Sequence, residues 1–418
     1  MKLIYDKPQS QGVENALKRA KQMVQFRWTP VRRFPQIMRI RTPGEEPSQH
    51  HTNFILKDLP QYGLPYSSVR IHEKYIGFNV SFETFVTALH DPRSILYTAP
   101  QHFLGKGMAP FYGTVCSGFV SYVCDLPYRV QCQTWTKLPG ITPIPSDDLD
   151  KLQLCDILLS DRGLDHVMIV TGIGRDAAGH VQRVEVSEET NPQCRCLDYT
   201  PEELRRCYLD NPRWHFSVYR YAGIHDVTYT PSPFVYVEGD PDLPEPRFNP
   251  SLQAHYGEKA NYERSEQVIL NVFEDGWDEI AVTLPDGTEK TLPIKDLQAS
   301  MTPTQAGYYS AVCRAGSRVS EPTHWAVTGM KLSGEKTVFA PNEPLRLTVD
   351  DPAGNAAFAF IINNYQYNGK KQGFLPAPTA HGAVELPGLP VGEYMAFVVA
   401  KNDYGCYRST RFHFTVEE

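Results

Sequence analysis

No run of about 18 apolar side chains, the length a helix needs to cross a bilayer, occurs anywhere in the 418 residues, so no membrane-spanning helix is expected. The opening MKLIYDKPQSQ has only a short apolar stretch before its Asp, whereas a secretory leader needs about 7–15 such residues. No signal peptide is visible. Two expectations stay open: the protein remains in the cytoplasm, or a leader has been removed and it works in the cell envelope or outside the cell. Basic runs and basic-aromatic stripes are also missing, and 48 acidic against 41 basic side chains give a formal net charge of −7. Nucleic acid is therefore not an expected partner, because phosphate recognition needs concentrated Lys and Arg. The chain has no CxxC pair and no HExxH, and Cys194-Arg195-Cys196 is spaced too tightly for a zinc knuckle. Neither a metal nor another cofactor is expected. Nine cysteines, an odd number thinly spread, do not form a disulfide framework.

What is present is a globular composition, 41% hydrophobic and 21% charged, with 23 Tyr, 20 Phe and 34 Pro pointing to strands and turns. At about 100–200 residues per domain, the length asks for more than one. Residues 14–26 place Ala16, Leu17, Ala20, Met23 and Val24 at helical spacing until Trp28-Thr29-Pro30 stops the pattern. A second helix is predicted over 81–89 with Ser81 as its N-cap, and a third over 116–124, ended by Asp125-Leu126-Pro127. Strand signals follow at 155–159, 166–172, 181–187 and 214–221, which together read as an α+β unit spanning 1–228. Six prolines between 231 and 250 mark a stiff linker, assigned to 229–250. Beyond it, short alternating strands such as Leu345, Leu347, Val349 and Tyr394, Ala396, Val398, Ala400 predict two all-β sandwiches of immunoglobulin-like architecture, 251–328 and 329–418. AGYYSAVC (306–313) and VGEYMAFVV (391–399) stand at similar late positions and form a weak internal repeat.

Cys116 sits where a Gly-containing turn meets a helix, followed by the small Ser117 and Gly118. Helix-start N–H groups favour a thiolate, and small neighbours let a carbonyl carbon approach sulfur. The bland alternative is a buried helix cysteine. A base must hold a neutral imidazole within reach, and His166, at the head of HVMIVTG, is the candidate; a satisfied structural histidine is the alternative. The third group must accept the other ring N–H. Along VEVSEETN (184–191), Glu188 shares a face with Val184 and Val186 and is chosen, with Asn191 as runner-up.

GTVCSGFVSYV (113–123), CDILL (155–159) and DHVMIVTGI (165–173), in this order and spacing, resemble the NlpC-type and CHAP-type cell-wall cysteine peptidases, whose pattern reads DCSGLVQ, GDLVFF, GHVGIYLG. SEETN is similar to the acidic third position of the CHAP type. GLPY (63–66) is similar to the GxPYxWGG stretch upstream of the family cysteine, which implies a substrate-facing or supporting role for Tyr66; Tyr112 and Ser117 are placed in the same group. The likeness covers about 63–221. It departs from the family at Val115, where an Asp is usual, at Cys155, where a Gly is usual, and in the long insertion 67–112. It implies a papain-like domain, cysteine amide-hydrolase chemistry by Cys116, His166 and Glu188, and bacterial peptidoglycan as substrate. The two sandwiches would hold the enzyme on wall glycan or a partner protein, with Tyr365 and Tyr367 as candidate contacts. A thiol acyltransferase or amidase acting on a non-wall substrate, and an inactive binding or scaffold protein, are the rival expectations.

Overall fold

The computed structural model describes residues 3–32, 61–67, 75–78, 80–90, 94–98, 102–104, 107–109, 112–160, 165–190, 193–230, 252–254, 261–272, 275–363, 374–380, 382–402 and 405–418. The chain divides into two compact units, Met1–Ile76 with Pro92–Arg247, and Gly77–Asp91 with Phe248–Glu418. Residues 77–91, which the sequence reading includes in 1–228, thus group with the second unit; they carry one of the three predicted helices, observed at Phe82–His90.

In the first unit, helix α1 (Gln11–Gln25) begins three residues ahead of the apolar pattern because Ser10 caps it, its hydroxyl accepting from the Val13 N–H at 3.3 Å. Val13, Ala16, Ala20 and Met23 form the buried stripe. Arg19 is buried among them and is paired, reaching Asp125 at 3.2 Å and the Tyr122 carbonyl at 2.6 Å. A shorter helix of the first unit, Cys116–Val123, stops where Cys124 and Asp125 turn back onto the last carbonyls. Both pack together, and the helix at Cys116 lies on two central strands.

Those strands belong to one sheet made of β1 (Ile4–Tyr5), β2 (Ile141–Ile144), β3 (Ile157–Ser160), β4 (Val167–Arg175), β5 (Val181–Glu189), β6 (Cys194–Tyr199) and β7 (Phe216–Tyr221). Its order is β6-β5-β4-β3-β7-β2, with β1 beside the far end of β4, and every pairing is antiparallel. β3 starts later than the apolar pattern suggests. Cys155 takes a left-handed φ of 69°, and the Asp156 carboxylate, held by Arg220 at 2.8 and 2.9 Å, accepts from the Gln153 N–H to close a turn. β5 runs two residues further than its apolar alternation, carrying Glu188 and Glu189 into the ladder opposite Arg195 and Cys194.

In the second unit, strands β8 (Leu252–Ala254), β9 (Asn261–Glu263), β10 (Val268–Val272), β11 (Glu279–Thr283), β12 (Glu289–Pro293), β13 (Gln298–Met301), β14 (Gly307–Ala315) and β15 (Thr323–Thr328) form two sheets, β8-β10-β13 and β9-β15-β14-β11-β12. Strands β16 (Lys331–Gly334), β17 (Val338–Phe339), β18 (Leu345–Asp350), β19 (Ala356–Asn363), β20 (Phe374–Pro378), β21 (Ala383–Leu386), β22 (Gly392–Asn402) and β23 (Phe412–Val416) repeat the order, β16-β18-β21 and β17-β23-β22-β19-β20. In each, the second strand pairs in parallel with the last. These are two successive immunoglobulin-like sandwiches, each with its own apolar core, one around Trp325 and Tyr309, the other around Phe414 and Tyr394.

Candidate active site

Cys116 is the first residue of its helix. Val115 ahead of it is extended and has no side chain that could cap, and the first N–H to find an intrahelical carbonyl is that of Phe119, on Val115 at 2.8 Å. The amides of the first turn and the positive end of the helix dipole are thus left to the sulfur. The thiol is held well below its ordinary range, chiefly by a hydrogen bond with Cys132, against the opposing effect of burial, and further by the hydrogen bond and charge of His166 and a bond with the Val167 backbone.

His166 stands directly before β4, where its carbonyl accepts from the Ser160 N–H at 3.0 Å and its ring meets Phe216 edge-on at 6.2 Å. Nε2 lies 2.5 Å from Glu188 Oε2, which leaves Nδ1 as the nitrogen for Cys116. Burial disfavours the imidazolium, but the hydrogen bonds and charges of Cys116 and Glu188 outweigh it and raise the ring to about 10. Glu188, 3% exposed, feels burial in the opposite sense; His166 and Arg195 overcome it and keep the carboxyl below its usual range. Arg195 binds Glu188 Oε1 through Nε at 2.8 Å and Nη2 at 2.7 Å. The four groups stand in series: a thiol held low, an imidazole held high, a carboxyl held low and the Arg195 guanidinium.

Two residues beside these groups escaped the sequence reading. Arg195 faces Glu188 because the β5–β6 hairpin pairs them across the ladder, a register that a count outward from the 190–193 connection would have given. Cys132, on the short 3₁₀ turn Cys132–Lys137, brings its sulfur to 3.7 Å from that of Cys116 and has no sequence signal of its own. Glu189, next to Glu188, has a different state. It is fully buried, with its Oε2 2.5 Å from the Cys194 sulfur, and burial above all pushes its carboxyl well above the usual range.

The other sequence candidates separate. Despite the long insertion, 63–67 is laced beside the segment that leads into Cys116: Thr114 N–H donates to the Pro65 carbonyl at 3.1 Å, Ser67 N–H to the Thr114 carbonyl at 2.8 Å, and Pro65 bridges Gln193. Gly63 makes this possible, having a φ of 85° and lying where a Cβ would come within 2.2 Å of the Cys194 carbonyl oxygen. Tyr66 is therefore half-buried alongside Thr114, two residues from Cys116. Tyr112 is fully buried and cannot face a substrate. Ser117 is buried as well, its hydroxyl accepting from Arg129 at 3.3 Å, so it supports the loop that precedes Cys132. Asn191, Tyr365 and Tyr367 lie outside the described residues. Among the described residues no group of three His, Cys, Asp or Glu is arranged to hold a metal ion, and no helix is long and apolar enough to cross a membrane.

No family model matches the chain, and no curated protein matches it. Among solved structures it is similar to murine CEACAM1b, at 10% identity and a TM-score of 0.19, over 40% of this chain and 99% of that one. It is similar to a two-domain fibronectin type III segment of chicken tenascin at 13% identity and a TM-score of 0.23, over 41% and 99%. It is also similar to the fibronectin(III)-like modules of Clostridium thermocellum CbhA at 16% identity and a TM-score of 0.18, over 38% and 88%. Likeness at this level carries no functional argument.

Proposed function

We propose that the first unit is a cysteine hydrolase that cleaves an amide bond in peptidoglycan stem peptides. The observation that carries the reading is the His166 ring held by the Glu188 carboxylate at 2.5 Å, with the Cys116 sulfur 3.8 Å from the carbonyl oxygen of the adjoining Asp165. A finer fold class goes with it: a papain-like α+β domain, supported by a cysteine that opens a helix packed on the antiparallel strands bearing the histidine and the acid. The wall substrate rests on the resemblance of 113–123, 155–159 and 165–173 to the NlpC and CHAP types, and it implies a place in the cell envelope or outside the cell.

The Cys116 thiolate attacks the amide carbonyl, forming a C–S bond and a tetrahedral oxyanion. The Cys116 N–H at the helix start is one donor to that oxygen, a kind of contact worth about 2.7–4 kcal/mol. The His166 imidazolium gives its proton to the departing amine as the C–N bond breaks. The ring, now neutral, takes a proton from water, whose hydroxide attacks the thioester and releases the acid and the thiolate. Glu188 keeps the imidazole oriented and favours its charged form; Arg195 fixes Glu188.

A second reading, an amide outside the wall, is favoured by one observation: Val115 is apolar and buried where the family has an Asp beside its cysteine. Mass spectrometry of defined muropeptides incubated with the wild-type chain and with Cys116→Ala decides. New fragments with wild type alone identify the bond; intact muropeptides under reducing conditions transfer the proposal to a non-wall amide.

A further inference from the structure

We propose that Cys132 is a positioning residue for the nucleophile: its thiol donates a hydrogen bond to the Cys116 thiolate and anchors the negative charge there. The inference rests on Cys116 being the ionised nucleophile of the preceding section. The sulfurs are 3.7 Å apart, within the reach of an S–H···S contact. Cys132 is held on a firm mount. It is 6% exposed and opens a 3₁₀ turn in which the Thr134 hydroxyl and N–H both bond the Gln131 carbonyl at 2.9 Å and Trp135 is fully buried.

The direction of the bond follows from what surrounds each sulfur. Cys116 has the open helix start, the His166 ring and the Val167 backbone in favour of its anion, against burial and the Asp165 carbonyl oxygen 3.8 Å away. Cys132 has the nearby Cys116 charge and burial against it, and only Arg129 and its own backbone in its favour. The proton therefore stays on Cys132, which makes it a donor. The remaining charged or titratable groups around the pair are Glu188, paired with His166 and Arg195, and Glu189, whose carboxyl burial pushes well above its usual range. A thiol suits this position because it donates to an anion and yet costs little to bury against an apolar wall, unlike an amide or a hydroxyl without a partner.

The test uses the full chain and iodoacetamide, with labelling of Cys116 read by peptide mass across pH 4–9. In this reaction the thiolate displaces iodide, so the rate follows the ionised fraction and needs no substrate. Wild type labels at Cys116 at acidic pH, where a small-molecule thiol is inert. Cys132→Ala and the volume-conserving Cys132→Val lose the donor, and labelling at the acid end slows about tenfold, the scale of one lost hydrogen bond to a charge. Cys132→Ser keeps a donor and restores most of the acid-side rate. At alkaline pH the Ala and Val variants react at least as fast as wild type, because an unanchored thiolate is the stronger nucleophile. A merely structural role for Cys132 would not give this opposite behaviour at the two ends. Superimposable profiles for wild type, Cys132→Ala and Cys132→Val overturn the inference. A wild-type profile like that of an ordinary thiol overturns the nucleophile reading itself.

Discussion

Glu188 and Glu189 are neighbours in β5, both buried, and their carboxyls shift in opposite directions because one meets His166 and Arg195 and the other is buried against the Cys194 thiol. The difference is testable through pH. The leaving amine needs the imidazolium, so activity should fall on the alkaline side near 10, where His166 loses its proton. In Glu188→Gln the charge that raises the ring is gone, and that limb moves to lower pH; an unmoved alkaline limb would leave Glu188 without its orienting role. The linkage runs the same way for stability. His166 is raised from 6.5 to about 10, so its contribution is complete below 6.5 and is lost as pH rises through about 10. Glu189 is also raised, from 4.5, and its contribution is present below 4.5 and lost above it, because the unfolded carboxyl ionises first. Glu189→Gln is neutral at every pH and keeps the shape. Its melting temperature should gain on wild type as pH climbs from 4.5 to neutrality, with hydrolysis intact. At this scale Cys116 and His166 were legible as candidates because each stands at a helix or strand start, and Glu188 because it shares a face with Val184 and Val186. Cys132 and Arg195 were not, since a loop and a hairpin register bring them in.

The helix that opens at Cys116 explains its own glycine differently from the sequence. Small neighbours were expected to give the substrate room, yet Ser117 is buried, and a Cβ on Gly118 would fall 2.4 Å from the Thr114 hydroxyl, a fully buried side chain. Gly118→Ala must therefore displace Thr114 and with it the bridge to Tyr66, two residues before the nucleophile. Slower iodoacetamide labelling of Cys116 in a variant that still melts cooperatively would show this; labelling at the wild-type rate would mean the turn yields freely. In the sandwiches, Tyr309 and Tyr394 occupy the same place. Each lies two residues into its strand, stacks on an aromatic of the last strand (Trp325 at 5.4 Å, Phe414 at 5.3 Å), and donates its O–H four residues back, to Gln305 at 2.8 Å and Pro390 at 2.7 Å. Tyr309→Phe and Tyr394→Phe keep the stack and lose the bond, and each should cost about 1 kcal/mol in urea unfolding. The alternation at 345–349 was readable because that strand buries one face only, whereas 394–400 is buried on both faces and only its Tyr394, Ala396, Val398 and Ala400 side lines the core of the sandwich. The residues around β3 and β5 misled at their ends, where polar side chains rather than apolar period decide where a strand starts and stops.

At the scale of the molecule the described groups of the candidate site, Cys116, Cys132, His166, Glu188, Arg195 and Tyr66, all belong to the first unit, and each sandwich has its own core in the second. The linker assigned to 229–250 lies outside the described residues from 231 on, and the grouping of 77–91 with Phe248–Glu418 did not show in the sequence, because a short apolar helix carries no mark of the unit it belongs to. A chain ended after Arg247 separates two consequences. Rapid acid-side labelling of Cys116 should persist within about twofold, since the charges that ionise the sulfur are all retained, each acting over less than a Debye length of about 8 Å. Far-UV circular dichroism should show some loss of order, because the Phe82–His90 helix is left without the rest of its unit. If the sandwiches hold the enzyme on the wall, the shortened chain fails to sediment with insoluble peptidoglycan while full-length Cys116→Ala still does. With a net charge of −7 that retention is not a cationic grip, so it should survive 0.5 M salt. Equal sedimentation of both chains would remove the targeting role from the second unit, and a collapse of Cys116 labelling on truncation would mean that the two units depend on each other to form the site.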